Sequence, residues 1–169
     1  TRNCVDIKSL PAGEAALVDA NIIIYYLGGL SVECRDFFYR VARREVEAHV
    51  TTTIIAEILH RRMMAEAVAK GLISPGQTVK KLKANPTVIP LLTDHIAEVE
   101  KLLRLPFRIH EITRGDIIAS HTLRQVHGLF VNDSINLACA HRLALTNIVT
   151  NDSDFNRVAT LSMWEPTDI

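Results

Sequence analysis

A chain of 169 residues suits one domain with a full hydrophobic core. Hydrophobic residues make up 48% and charged residues 22%, and 19 basic side chains balance 19 acidic ones, so no overall basic field marks the chain for nucleic acid, though a local patch still could. Cys4, Cys34 and Cys139 are odd in number, scattered and without a CxxC pair, which argues against a disulfide framework or a structural zinc site and fits a reducing compartment.

Residues 1–14 mix polar and apolar types and contain Pro11 and Gly13, so they read as an extension ahead of a single domain over 15–169. An apolar strand at 15–18 delivers the chain to Asp19. A short helix follows over 21–27, stopped by Gly28-Gly29. Residues 32–48 show helical periodicity, with Val32, Phe37, Phe38, Val41 and Val46 opposite Arg35, Arg40, Arg43 and Arg44. A second strand at 49–52 precedes a helix capped by Thr53 and running to about Lys70. Pro75 suggests the first position of another helix, ending near Asn85-Pro86. Residues 87–91 read as an edge strand because of Pro90, and 93–103 as a helix. Thr113-Arg114-Gly115-Asp116 has the form of a capping box for a helix that ends at Gly128. Asn132 or Asp133 then caps a helix to about Leu145, a strand follows at 147–150, and a fifth is expected at 159–163. Strands alternating with helices predict an α/β fold: a three-layer α/β/α sandwich around a parallel sheet of four to five strands. No apolar run is long enough to span a bilayer and no signal-peptide pattern opens the sequence, so a cytoplasmic location is expected.

Four acidic points stand out in that arrangement. Asp19 ends the first strand, Glu57 and Asp133 lie in the first turns of helices, and Asp152 and Asp154 follow the strand at 147–150. In a parallel sheet, strand ends and the starts of the following helices share one edge, where ligands bind. The carboxylates can therefore meet, and unpaired they would repel and raise one another's pKa values. A divalent cation with a preference for oxygen, such as Mg²⁺, removes that cost. Taken singly, each residue has an ordinary explanation. A helix dipole favours Glu57 and Asp133, and a polar turn favours Asp152 and Asp154. Asp19 is the strongest single case, because an apolar strand rarely carries a carboxylate to a packed interior without a use.

In their order, these pieces resemble the PIN-domain ribonucleases, and within them the VapC-like toxin subunits of type II toxin–antitoxin systems. Val18-Asp19-Ala20-Asn21-Ile22 looks like the first motif, Thr51 to Leu59 with its single Glu57 like the second, Asn132-Asp133-Ser134 and the helix after it like the third, and Val149-Thr150-Asn151-Asp152-Ser153-Asp154-Phe155 like the fourth. The resemblance implies a PIN-like fold. It also implies Mg²⁺ or Mn²⁺ held by Asp19, Glu57, Asp133 and Asp152, with Asp154 in support and Asp152 the favoured inner ligand. Asn21 would orient Asp19, and Thr150 would position the ion's water shell. Asn136 stands where a small or apolar residue is more usual, one turn after Asp133, and would line the acidic pocket. The implied reaction is hydrolysis of an RNA phosphodiester by water activated by the ion, in a homodimer kept silent by a small antitoxin protein. Alternatives are a PIN-like RNA- or protein-binding module without turnover, and an RNA-processing nuclease with no antitoxin.

Other features have plainer readings. The seven histidines form no HxH or HxxxH pair, so surface or satisfied side chains are expected rather than a transition-metal site. Arg35, Arg40, Arg43 and Arg44, the pair Arg61-Arg62, and Lys80, Lys81 and Lys83 would suit an RNA backbone, but a solvated helix face explains each as well. Tyr25 and Tyr26 suit base stacking or the core. A dehalogenase-type phosphatase needs a second Asp two residues after the first, where this chain has Asn21.

Overall fold

The computed structural model describes residues 5–169; residues 1–4, Cys4 among them, lie outside the described region. In chain order the elements are β1 (Val5–Asp6), β2 (Ala15–Val18), α1 (Ala20–Leu27), α2 (Val32–Ala42), β3 (Glu47–Thr51), α3 (Thr52–Ala69), α4 (Thr78–Ala84), α5 (Asp94–Leu102), β4 (Arg108–His110), α6 (Arg114–His127), α7 (Val131–Arg142), β5 (Asn147–Val149) and β6 (Ser162–Glu165). The strands form one sheet in the order β1-β6-β5-β2-β3-β4, and every pairing is parallel. From β2 through β3 to β4 the chain steps one way across the sheet, and α1, α2, α3 and α5 pack on one another along that path. From β4 it steps back past β2 to β5, and the connection carries α6 and α7, packed together, to the other face. The result is the expected three-layer α/β/α sandwich, with six strands instead of four or five.

The reversal occurs between β2 and β5, which register Leu17 with Ile148 and Val18 with Val149. Both strands are made of side chains buried on each face, as the centre of a parallel sheet requires. At such a switch point the chains leave the carboxyl ends in opposite directions and open a crevice. The main core lies between the sheet and the helices, with Leu17, Val18, Ile22, Ile23, Phe38, Ile54, Ile58, Leu137 and Ile148 at its heart. A satellite cluster of Ala67, Leu82, Val88 and Leu92 sits under the far end of α3. There the buried Glu66 carboxylate accepts from the backbone N–H groups of Thr93, Asp94 and His95 and from the His95 ring, capping α5 from outside, with Lys70 beside it. Burial alone would raise its pKa, but Lys70 and the α5 N–H groups outweigh that and hold it far below the carboxylate range.

Several boundaries differ from expectation. The extension contributes β1, which pairs with β6, and it buries Ile7 and Leu10. Helix α2 stops at Ala42 because Arg44 turns to a φ of 59°, freeing residues 47–51 for β3. Of three consecutive threonines, Thr51 and not Thr53 caps α3 by accepting from the Ile54 N–H. Pro75 does not start α4, which begins at Thr78 after Gly76 and Gln77, both at positive φ. Residues 87–91 are not a strand. They belong to a 3-10 turn, Pro86–Leu91, in which two prolines fix helical φ values and withhold N–H donors. The edge strand on that side is instead β4, which the sequence did not signal. Neither Asn132 nor Asp133 caps α7, whose N-cap is Phe130 without a side-chain bond. The last strand lies at Ser162–Glu165, later than expected. The capping box of α6 is present, with both Thr113 and Asp116 in place and Gly128 at a φ of 65° at its end. Cys34 and Cys139 are buried free thiols, and burial pushes the Cys34 pKa up to about 11. Among the described residues, no helix is long and apolar enough to cross a membrane.

Candidate active site

Asp19 leaves β2 as the N-cap of α1, its Oδ1 accepting from the Ala20 N–H at 2.7 Å. Its Oδ2 accepts from the Thr150 hydroxyl at 2.7 Å and from the Asn21 amide at 3.4 Å. Thr150 comes from the end of β5, so the two strands at the switch point meet in one hydrogen bond. The same Thr150 hydroxyl accepts from the Asp152 N–H at 3.0 Å, and Asp152 Oδ1 accepts from the Asp154 N–H at 2.9 Å. The loop after β5 is thereby folded back against Asp19.

The five carboxylates of the sequence reading share one electrostatic neighbourhood. Burial is the main force raising the Asp19 pKa, with Glu57 and Asp152 adding to it; the Thr150 and Ala20 hydrogen bonds act against it. Asp133 is raised from 3.8 to about 6, first by burial and then by Asp19, Asp152, Glu57 and Asp154 in that order. Among the described residues, no ion pair reaches Asp19, Asp133 or Asp152, and each carboxylate there makes its neighbours harder to ionise. The rims of the cluster differ. Arg61, one helical turn beyond Glu57, donates to the Asn21 side-chain Oδ1 at 2.6 Å and lies 3.5 Å from the Glu57 carboxylate. Arg157 pairs with Asp154 at 2.8 Å and also holds the Gly128 carbonyl at 3.1 Å.

Two supporting residues make hydrogen bonds that the sequence did not signal. Thr150 grips Asp19 directly, sharing that role with Asn21. The Asn136 side-chain Oδ1 accepts from the Thr51 and Thr53 hydroxyls at 2.7 and 2.6 Å, so it ties α7 to the junction of β3 and α3. Tyr26 packs on Phe38 in the core, whereas the Tyr25 hydroxyl reaches the cleft edge and accepts from Asn151 at 2.7 Å.

Residues 16–161 match the PIN domain. The chain belongs to the PIN domain family. No curated protein matches the sequence. Among solved structures, it is similar to VapBC2 from Rickettsia felis, there bound to a DNA fragment from its promoter, with 14% identity, a TM-score of 0.58 and 89% of this chain against 98% of that one. A toxin–antitoxin complex from Klebsiella pneumoniae shares 21% identity at a TM-score of 0.51, over 91% and 98% of the two chains. FitAcB from Neisseria gonorrhoeae shares 18% at 0.51, over 88% and 96%. At these identities the likeness is one of fold. PIN domains are nucleases, and membership supports a hydrolytic nuclease here.

Among the described residues, the acidic groups of this PIN domain do not close into a ready-made metal cage, and no His or Cys joins them. The donor set nevertheless fits a hard divalent cation. It is all carboxylate oxygen, it is crowded enough to raise Asp19 and Asp133, and a cation relieves that crowding. Sequence reasoning missed the hold of Arg157 on Asp154. The signal was the three-residue step between them inside the turn Ser153–Arg157.

Proposed function

We propose that this PIN domain is a Mg²⁺- or Mn²⁺-dependent endoribonuclease that hydrolyses RNA phosphodiesters, and that it is the toxin of a toxin–antitoxin pair. The observation that supports this most is the gathering of Asp19, Glu57, Asp133 and Asp152 at the switch point of the sheet, where burial and mutual repulsion raise the pKa values of Asp19 and Asp133. Those four residues would hold the ion, with Asp154 in support. When bound, the ion supplies Lewis acidity for the attacking water and positive charge for the leaving oxygen. Thr150 and Asn21 fix Asp19 in one orientation, so that ligand needs no reorganisation. Asp133, at about 6, carries a proton in mildly acidic solution, and ion and proton compete for it.

The toxin role draws on the likeness in fold to three toxin–antitoxin complexes. A small antitoxin partner would silence the chain by bringing a basic side chain to Asp19 and its neighbours. We place the protein in the cytoplasm as a homodimer.

The test is titration calorimetry with Mg²⁺ and Mn²⁺ on the wild type and on Asp19→Asn, with cleavage of a mixed RNA pool on the same samples. Asn keeps an oxygen to cap α1, so the variant should stay folded. Ion binding and cleavage by the wild type, both lost in a folded Asp19→Asn, support the reading. A folded wild type that binds no ion sinks it and favours a binding module without turnover.

A further inference from the structure

The basic residues singled out in the sequence sort themselves in the structure. Arg62 makes a bidentate pair with Glu98, at 2.7 and 2.8 Å, that ties α3 to α5. Arg40 holds the Leu10 carbonyl, Arg43 pairs with Glu45, and Arg35 pairs with Asp36. Lys81 closes on Ser74 and Pro75. Of this set, Arg61 alone is described as reaching the acid cluster. Its side chain, 43% exposed, bridges α3 to Asn21 on α1, the residue that also touches Asp19.

A plain helix pair explains the 3.5 Å approach to Glu57, which lies four residues earlier on α3. It does not explain the shorter bond to Asn21 on another helix. That bond holds a planar, permanently charged fork beside carboxylates that would otherwise repel an incoming phosphate. A guanidinium there has five N–H donors, and among the described residues its contacts are those to Asn21 and Glu57.

We propose that Arg61 binds a backbone phosphate of the nucleic acid substrate next to the acid cluster, leaving Asn21 and Glu57 to do so. The proposal rests on the ribonuclease reading above and adds a residue to it. Arg61 carries the substrate's charge past the acidic centre, and Glu57 is released from its cation at the moment the ion needs it. Lysine in its place keeps the charge and loses the fork.

The experiment measures binding of a fluorescein-labelled, unstructured single-stranded oligoribonucleotide, without added metal, to the Asp19→Asn protein, which keeps its cap and should not cleave. Arg61→Gln, Arg61→Lys and Arg62→Gln are added to that background, and each is titrated at several salt concentrations. Arg61→Gln should weaken binding by about tenfold and reduce the slope of log K against log salt by about 0.7, the loss of one phosphate contact. Arg61→Lys should keep the slope and lose only part of the affinity. Arg62→Gln removes the same charge one residue away and should leave the slope unchanged. Equal affinity and slope in Arg61→Gln, with or without a loss of thermal stability, would make Arg61 a structural tie and overturn the proposal. No oligoribonucleotide binding by the folded background protein would overturn the ribonuclease reading itself, and this proposal with it.

Discussion

Asp133→Asn should make the metal-free protein more stable while removing its cleavage activity. Unfolded, Asp133 titrates near 3.8; folded, near 6, because burial and four neighbouring carboxylates disfavour its charge. The folded protein therefore binds an extra proton between those values, so this group's contribution is present below about pH 4 and is lost as the pH rises through about 6. Taken whole, the difference converts to about 3 kcal/mol. Asp133 is only partly buried, so solvent screening brings this to roughly 1.5 kcal/mol. For a domain of this length that is a rise in Tm of about 3–6 °C at pH 7.5 in a chelator. The rise should shrink toward zero as the pH is lowered to about 4. Thermal unfolding of both proteins across that range, followed by circular dichroism, reads it directly. A fall in Tm at pH 7.5, or a rise that does not depend on pH, would refute the account of an uncompensated carboxylate cluster. Adding Mg²⁺ should raise the wild-type Tm more than that of the variant, since the variant has already lost the repulsion the ion relieves.

Thr150→Val removes the hydroxyl that orients Asp19 and receives the Asp152 N–H; divalent-ion affinity by calorimetry should drop about 10- to 100-fold, and an unchanged affinity would end the orienting role. Glu66→Gln leaves the α5 N-terminus and Lys70 without their carboxylate and should cost about 2 kcal/mol in urea unfolding, with no effect on metal binding; a shift below about 0.5 kcal/mol would show the cap to be dispensable. His49 and His110 stack across β3 and β4, joined Nδ1 to Nε2 at 2.9 Å, and burial chiefly lowers both pKa values. Their contribution is complete above about 6.5 and is lost as the pH falls through their lower folded values, so the urea midpoint should decline below that pH and His110→Gln should flatten the decline.

The centre of the molecule was legible because its signals are local and strong. The apolar run into Asp19 became β2 and the cap of α1, and the Thr113–Asp116 box formed as spelled. The edges were not legible. Strand β4 is only Arg108-Ile109-His110, polar at both ends, and it is a strand because β3 offers it a ladder. Residues 87–91 are β-branched enough to suggest a strand, but two prolines favour a tight turn. The two-residue β1 carries no pattern of its own and exists through its pairing with β6. At the site, the carboxylates could be listed from the sequence because each stands in a recognisable motif. Their surroundings could not. Nothing in the runs around Arg61 and Arg62 says that one crosses to α1 and the other to α5; that division follows from which neighbour each helix face meets. Helical spacing sets Asn136 one turn after Asp133, but nothing in that spacing says that its oxygen accepts from the hydroxyls of Thr51 and Thr53.

The acid cluster takes its members from both ends of the chain, residues 19 and 57 from one and 133 and 152 from the other, and β5 reaches β2 only after β3 and β4 are laid down on the far side. A product that ends before residue 152 therefore lacks part of the cluster, whatever else it has folded. On the proposed reading, the ion site is completed only when residue 152 has been made, and a restraining partner aimed at the cluster has nothing whole to act on before then.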